Sequence, residues 1–330
     1  MTTSKQSSRF QWAPFRVSPW YSDRVWGWND LRPWFDKVAD GNPIGEAWLT
    51  GDQCEVASGP HAGRKLGELF SEEAEALLGS GAHDPGSPLL LKVIFAREKL
   101  SVQVHPDDAM AQKYGDPRGK TECWYALAAD PGAKIALGIK PGVSLQKIEE
   151  GIHTGTLEES LNVLDVVAGD MVFVDAGTVH AIWPGSVLLE TQQNCDLTYR
   201  LYDYGRPRQL HVEKSLEALR LTSRAGRIPP KDLKDRTLLL EVEYFRVERL
   251  HPAERWTRAS LQDEGEAGPG LAYLFAAAGT GKLTGEGFEP VELPARGIVA
   301  VPALSPEFLV ENQGGLDLFR ITPRFPSPSR

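Results

Sequence analysis

Apolar residues in this chain come in short runs cut by glycine, proline and polar turns. Runs at residues 89–95, 100–105, 123–128, 134–139, 171–175, 187–191 and 197–202 predict strands. A later series at 238–243, 245–250, 271–276, 298–301, 307–311 and 316–321 predicts more. Short strands at this density point to a sandwich or barrel rather than to alternating βαβ units. A few helical patterns interrupt them. Residues 71–79 begin on an N-cap serine, carry an acidic first turn and end on glycine. Residues 144–151 and 156–164 form a second helical patch, and Val212, Leu216 and Leu219 recur at helical spacing within 211–221. Residues 220–234 are polar and contain Pro229-Pro230. They predict a linker between a large N-terminal domain, 1–222, and a smaller C-terminal one, 223–330.

Two segments carry a tempting alternative. Six of the nine tryptophans fall between Trp12 and Trp48. They could stack on sugars, but the area an indole buries favours packing at a barrel end or sheet edge. Ala276-Ala-Ala-Gly-Thr-Gly-Lys-Leu283 imitates a phosphate-binding loop, yet Ala276 stands where glycine is needed and Leu283 where serine or threonine is. It lies between strand patterns, so a hairpin turn is expected there.

Composition narrows the partners. With 41% hydrophobic and 25% charged residues, the 330-residue chain resembles an ordinary globular protein. A net charge of −9 argues against nucleic acid and anionic membrane. A local group of Lys and Arg could still hold one phosphate. Cys54, Cys123 and Cys195 form no disulfide pattern. Cys123 faces away from its neighbour Glu122 on a strand, so it reads as a buried reduced thiol. The N-terminus lacks an apolar signal core, and no run reaches membrane-spanning length. A cytoplasmic location is expected.

The candidate chemistry centres on His105, Glu122 and His180, with Gln103 two residues before the first histidine. At that spacing Gln103 and His105 share one strand face. Two imidazoles, a carboxylate and an amide oxygen could hold zinc or another first-row metal and leave a position open. His61, His83, His153, His211 and His251 read as structural, and Asp107, Asp108 and Asp175 as caps or turn residues. Just beyond His180, Glu190, Gln192, Asn194 and Asp196 alternate with other residues. Thr198, Arg200 and Tyr202 then share one face of a strand. Such a polar row following a histidine strand predicts a ligand-lined cavity.

Gly169, Gly177 and His180 are similar to the second signature of the cupin barrels, Gly-x5-Pro-x-Gly-x2-His-x3-Asn, with Asp175 and Pro184 replacing its proline and asparagine. Gln103-Val-His105 and Glu122 resemble an altered first signature, with a small helix-bearing insertion between them. The whole set resembles the type I mannose-6-phosphate isomerases in their short bacterial form. The shared segments include Val25-Trp-Gly27, Pro43-Ile-Gly-Glu-Ala-Trp48, Leu100-Ser-Val-Gln-Val-His-Pro-Asp107 and Gly119-Lys-Thr-Glu-Cys-Trp124. Gly177-Thr-Val-His-Ala181, Glu190-Thr-Gln-Gln-Asn194 and Tyr199-Arg-Leu-Tyr-Asp203 follow in order. Longer members carry His-Lys-Pro-Glu where this chain has Gly119-Lys-Thr-Glu122, which bears on any histidine proton relay.

That resemblance implies a mainly β fold of two jelly-roll, cupin-type β-barrel domains, the first with a helical insertion. It implies one zinc at Gln103, His105, Glu122 and His180, Arg200 as the active-site arginine, and Lys120 and Glu190 beside the reacting carbons. It implies Ser101 and Lys92 at the substrate phosphate, and a monomer that interconverts mannose 6-phosphate and fructose 6-phosphate through a cis-enediol. The C-terminal segment Gly297-Ile-Val-Ala-Val-Pro302 echoes a cupin strand and turn, but no histidine follows, so no metal is expected there. Two other classes compete: a metal-dependent cupin oxygenase, which generally uses more imidazole, and a non-catalytic sugar-phosphate-binding regulator.

Overall fold

The structure is a computed structural model that describes residues 12–80, 86–262 and 270–325; His83 lies outside them. Strands greatly outweigh helices, as the short apolar runs predict. The chain divides into two compact units that interleave in sequence. One comprises residues 1–20, 48–89 and 230–330, the other 21–47 and 90–229. The units divide after Pro229, and two early segments join the C-terminal unit. The reason is strand pairing: Phe15–Ser18 pairs antiparallel with Ile298–Val301.

The C-terminal unit holds a ten-stranded sheet around a core that includes Leu274, Leu283, Leu293, Val299, Val310 and Leu318. The expected hairpin at 276–283 is absent. Ala272–Gly285 is one strand that runs through this segment, pairing with Phe308–Pro323 across several register shifts. Gly279 makes this possible. Its φ is +66°, and a Cβ there would meet the Gly315 carbonyl carbon at 2.2 Å, so the sequence bulges at glycines instead of turning. The helix expected at 71–79 starts earlier, at Leu66, and is interrupted at non-helical Glu73. Its first turns bury Leu66, Leu69 and Phe70, an apolar face that outweighs the serine as a start signal.

The second unit contains two open sheets. Seven strands run in the order Gly226–Ile228, Met171–Val174, Glu122–Ala129, Ser186–Gln193, Leu89–Phe95, Ile44–Trp48 and Trp20–Trp28. The tryptophan-rich segment thus supplies the two outermost strands at one side, with Trp26 buried. Five more strands run in the order Tyr199–Tyr202, Val102–Val104, His180–Ile182, Lys134–Ile139 and Leu161–Asp165. Ile94, Trp124, Val174 and Leu188 of the first sheet share a core with Ile135, Leu137 and Ile182 of the second. Alternation sends Val102, Val104, Ala136 and Ala181 to the other face, where Ile148 and Ile152 of the helix Leu145–Thr154 cover them. Ser144 caps that helix by accepting from the Lys147 amide. Residues 156–164 form only a short 3₁₀ turn, Leu157–Ser160, before continuing as a strand. Among the described residues no sheet closes on itself, so closed barrels are not seen; the second unit is two sheets face to face. Among the described residues, no helix is long and apolar enough to cross a membrane.

Leu188 is 1% exposed in the core between these two sheets. Leu188→Ala should destabilise the protein by about 2–5 kcal/mol, whereas Val163→Ala at an exposed site should change stability by about 0.5 kcal/mol or less. Urea unfolding of both variants against wild type checks the contrast.

Candidate metal centre and cavity

The two facing sheets deliver their polar side chains in rows. On the five-stranded sheet, Arg200 lies directly opposite Gln103, and Gln103 opposite His180. Directly opposed residues of an antiparallel pair point to the same face. On the seven-stranded sheet a second row crosses five adjacent strands. The Trp124 indole donates to Glu190 at 2.8 Å, and the Lys92 ammonium sits 2.7 Å from the same carboxylate. Lys92 is 3.7 Å from Glu46, and Arg24 donates to Glu46 at 2.8 Å. Lys92, Glu46 and Glu190 are all buried, so the charges neutralise one another where water cannot.

His105, Glu122 and His180 meet in the interior, their ligand atoms all within 4.8 Å of one another. His180 Nε2 is 3.4 Å from one Glu122 oxygen and His105 Nε2 is 3.6 Å from the other. His180 Nδ1–H donates to the Thr178 carbonyl at 2.9 Å, which leaves the Nε2 lone pair facing the carboxylate. Both Glu122 oxygens and His180 Nε2 are buried without a hydrogen bond. Buried polar atoms left unmatched in this way fit a metal that all three would ligate. Gln103 lines the adjoining cavity, opposite His180 in register.

The electrostatics agree with that fit. Burial, then the charge of Glu190, pushes Glu122 up to about 8, against the pull of Lys120 and Lys92. Burial also pulls His180 down to about 4, and with Lys120 it pulls His105 well below the usual range. Both imidazoles are therefore neutral near pH 7, as metal ligation requires. Burial opposes ionisation of Glu190 too, but Lys92 and Lys120 overcome it and lower its pKa. Lys92 itself is pulled down by burial, yet Glu190 and Glu46 raise it further than burial lowers it.

A cavity of about 460 Å³ opens beside these groups. It is lined by Lys92, Ser101, Gln103, Lys120, Glu190 and Arg200 among others. Six of the nine residues singled out from sequence therefore line one space, and the other three are the buried His–Glu–His group. The Lys120 ammonium joins the two sets: it donates to His105 Nε2 at 3.1 Å and lies 3.2 Å from Glu122. Arg200 donates to the Gln209 carbonyl at 2.8 Å, while its buried Nε has no partner among the described residues.

The family profile "Phosphomannose isomerase type I, catalytic domain" matches residues 15–137. The mannose-6-phosphate isomerase of Streptococcus mutans is 38% identical over 216 residues, 62% of this chain and 67% of that protein. A probable mannose-6-phosphate isomerase of Bacillus subtilis is 31% identical over 317 residues, 90% of this chain and 96% of its own length. The chain belongs to the type I phosphomannose isomerase family. The crystal structure of a B. subtilis mannose 6-phosphate isomerase superposes with a TM-score of 0.82 at 30% identity, covering 94% of this chain and 99% of that one.

Within this phosphomannose isomerase framework the cavity also presents Arg24, Glu46, Asp196, Thr198 and Arg208. Sequence reading assigned no role to Glu46, although a signal existed. It is a carboxylate inside the fully buried strand Ile44–Trp48, where an unpaired charge would not persist. Asp107 is a helix cap, as expected, accepting from the Met110 amide. Asp175, expected only as a turn residue, also pairs with Arg224, and Asp108 reaches past its helix to Gly119 and Gln193. All three cysteines are buried free thiols, and burial pushes Cys54 up to about 12.

The shifted groups set the pH response of the metal-free protein. A folded-state pKa raised to about 8 means Glu122 favours the fold below its ordinary value of 4.5, and this contribution is lost as pH rises towards 8. The His180 contribution has the opposite sign: it is complete above 6.5 and lost as pH falls towards 4. Between pH 6.5 and 8 only the Glu122 loss operates. Melting of chelator-treated protein should therefore fall across that window. A divalent metal should restore it, most strongly at pH 8, because ligation needs the ionised carboxylate. Glu122→Gln should abolish both the fall and the metal response.

Proposed function

We propose that this chain is a zinc-dependent aldose–ketose isomerase that interconverts mannose 6-phosphate and fructose 6-phosphate through a cis-enediol. The observation that carries the reading is the buried His105–Glu122–His180 group beside a polar cavity of about 460 Å³ that Gln103 and Lys120 line. That volume lies in the range of about 300–1,000 Å³ usual for small-molecule sites. Two imidazoles and a carboxylate, with Gln103 as a further ligand, suit zinc. When bound, zinc would supply a Lewis acid for the sugar oxygens at C1 and C2.

The remaining roles belong to the chain itself. Glu122 is unsuited to act as base because its carboxylate is committed to ligation. Glu190, kept ionised by Lys92, and Lys120, beside the ligand group, are the candidates for moving a proton between C2 and C1. Arg200, held by a carbonyl and not by a carboxylate, offers undiminished positive charge to a developing enediolate. Ser101 and Lys92 are the candidates at the phosphate end of the substrate. Lys92 already lies between Glu190 and Glu46, so its first task in this reading is to keep Glu190 charged. A jelly-roll topology for each unit, a metal-free C-terminal unit, a monomeric state and a cytoplasmic location belong to the same proposal.

Coupled assay of fructose 6-phosphate formation, together with elemental analysis, tests it. Zinc near one per chain and turnover of mannose 6-phosphate are expected; a zinc-free active protein, or a zinc protein inert on aldose phosphates, would sink the proposal. His180→Ala should lose both metal and activity. Arg200→Ala should keep metal and fold and lose roughly 10²-fold or more in kcat, the scale of removing one preorganised charge-stabilising donor.

A further inference from the structure

We infer that Asp108 and Gln193 are positioning residues that hold Lys120 in place for the reaction. The inference rests on the isomerase reading and extends it to two residues with no assigned role. Lys120 stands on irregular backbone, between the helix Asp108–Lys113 and the strand Glu122–Ala129. Its side chain is nevertheless buried, with the ammonium 3.1 Å from His105 and 3.2 Å from Glu122. Something other than a sheet ladder must fix that stretch.

Three consecutive amides do so. Gly119 N–H donates to Asp108 Oδ1 at 2.7 Å, Lys120 N–H to the Pro106 carbonyl at 3.0 Å, and Thr121 N–H to Gln193 Oε1 at 2.9 Å. The two side-chain acceptors are joined, since Gln193 Nε2 donates to the same Asp108 oxygen at 2.9 Å. Gln193 N–H also donates back to the Thr121 carbonyl at 3.2 Å. Asp108 and Gln193 therefore form one clamp that grips the residue before Lys120 and the residue after it. Gly119 lets the chain approach so closely: a Cβ there would lie 2.4 Å from the Asp107 carbonyl carbon. Glu122, by contrast, is paired with Val174 on one side and Gln192 on the other, so its position does not depend on the clamp. Loss of the clamp should displace Lys120 and leave the metal ligands where they are.

Asp108→Ala, Asp108→Asn and Gln193→Ala are compared with wild type for kcat, KM for mannose 6-phosphate and bound metal. Both alanine variants should lose roughly 10- to 100-fold in kcat, the scale of a misplaced reacting group, with KM within about threefold and metal content unchanged. Asp108→Asn keeps an oxygen that can accept from both donors and should recover most of the loss. The double alanine variant should be little worse than the poorer single one, because the clamp acts as a unit. Unchanged kcat in both alanine variants overturns the inference. Metal loss in step with turnover also overturns it, because the clamp would then serve Glu122. An asparagine variant as impaired as the alanine one does so too. Hydrogen exchange of the peptide spanning 117–122 gives a readout independent of turnover: both alanine variants should exchange faster, and unchanged exchange counts against the clamp. If wild type itself turns over no mannose 6-phosphate, the isomerase reading fails, while the exchange result still decides whether the clamp exists.

Discussion

Two carboxylates, Glu122 and Glu190, are buried in one site, and the rest of the second unit is organised around that constraint. Desolvation and mutual repulsion both oppose having the two ionised together. The chain gives them unequal partners. Glu190 receives an ammonium at 2.7 Å and an indole N–H at 2.8 Å, so its charge is balanced from within the protein. Glu122 faces two neutral imidazoles, and its one cationic neighbour at close range, the Lys120 ammonium at 3.2 Å, is shared with His105. One carboxylate is settled by folding, and the other is left to be settled by a cation. That inequality separates the acid kept ionised by the chain from the ligand far better than burial does, since both are buried.

The sheets make this arrangement affordable. The paired ladders bring polar residues of neighbouring strands to the inner face at fixed spacing. Arg200, Gln103 and His180 arrive from three strands of one sheet; Trp124, Glu190, Lys92, Glu46 and Arg24 arrive from five strands of the other. Groups borne on paired strands cannot drift, which suits a site whose balance of charge depends on separations of a few ångströms. Lys120, like Ser101 and His105, lies outside the strands, and its amide neighbours are held by side chains.

Much of the site was legible in the residues. The His105, Glu122 and His180 segments carry glycine and proline punctuation, and alternation puts Thr198 and Arg200 on the cavity; a register shift after Arg200 sends the third expected member of that row, Tyr202, to the core with Tyr199 and Leu201. The strands 89–95, 134–139, 245–250 and 298–301 were also readable, because β-branched runs bounded by turns admit few alternatives. Other features depend on distant chain segments, which periodicity does not report. Glu46 and Gln193 have meaning only through partners far away in sequence. The glycines of 276–283 look like a turn until Gly315 is seen packed against Gly279. Ser71 is a sound local cap signal that lost to the apolar face of Leu66, Leu69 and Phe70.

The interleaving of the two units has a consequence for how this protein is made. Phe15–Ser18 leaves the ribosome long before its partner Ile298–Val301. The metal-centre unit is complete once residue 229 has emerged, while the other unit holds unpaired strands from its earliest segments. Non-local pairing of this kind is slow to close and leaves an edge open meanwhile. The order of emergence thus favours a nascent chain that assembles its chemistry first and its second unit last. The strand Phe15–Ser18 would then keep an open edge until Ile298–Val301 arrives.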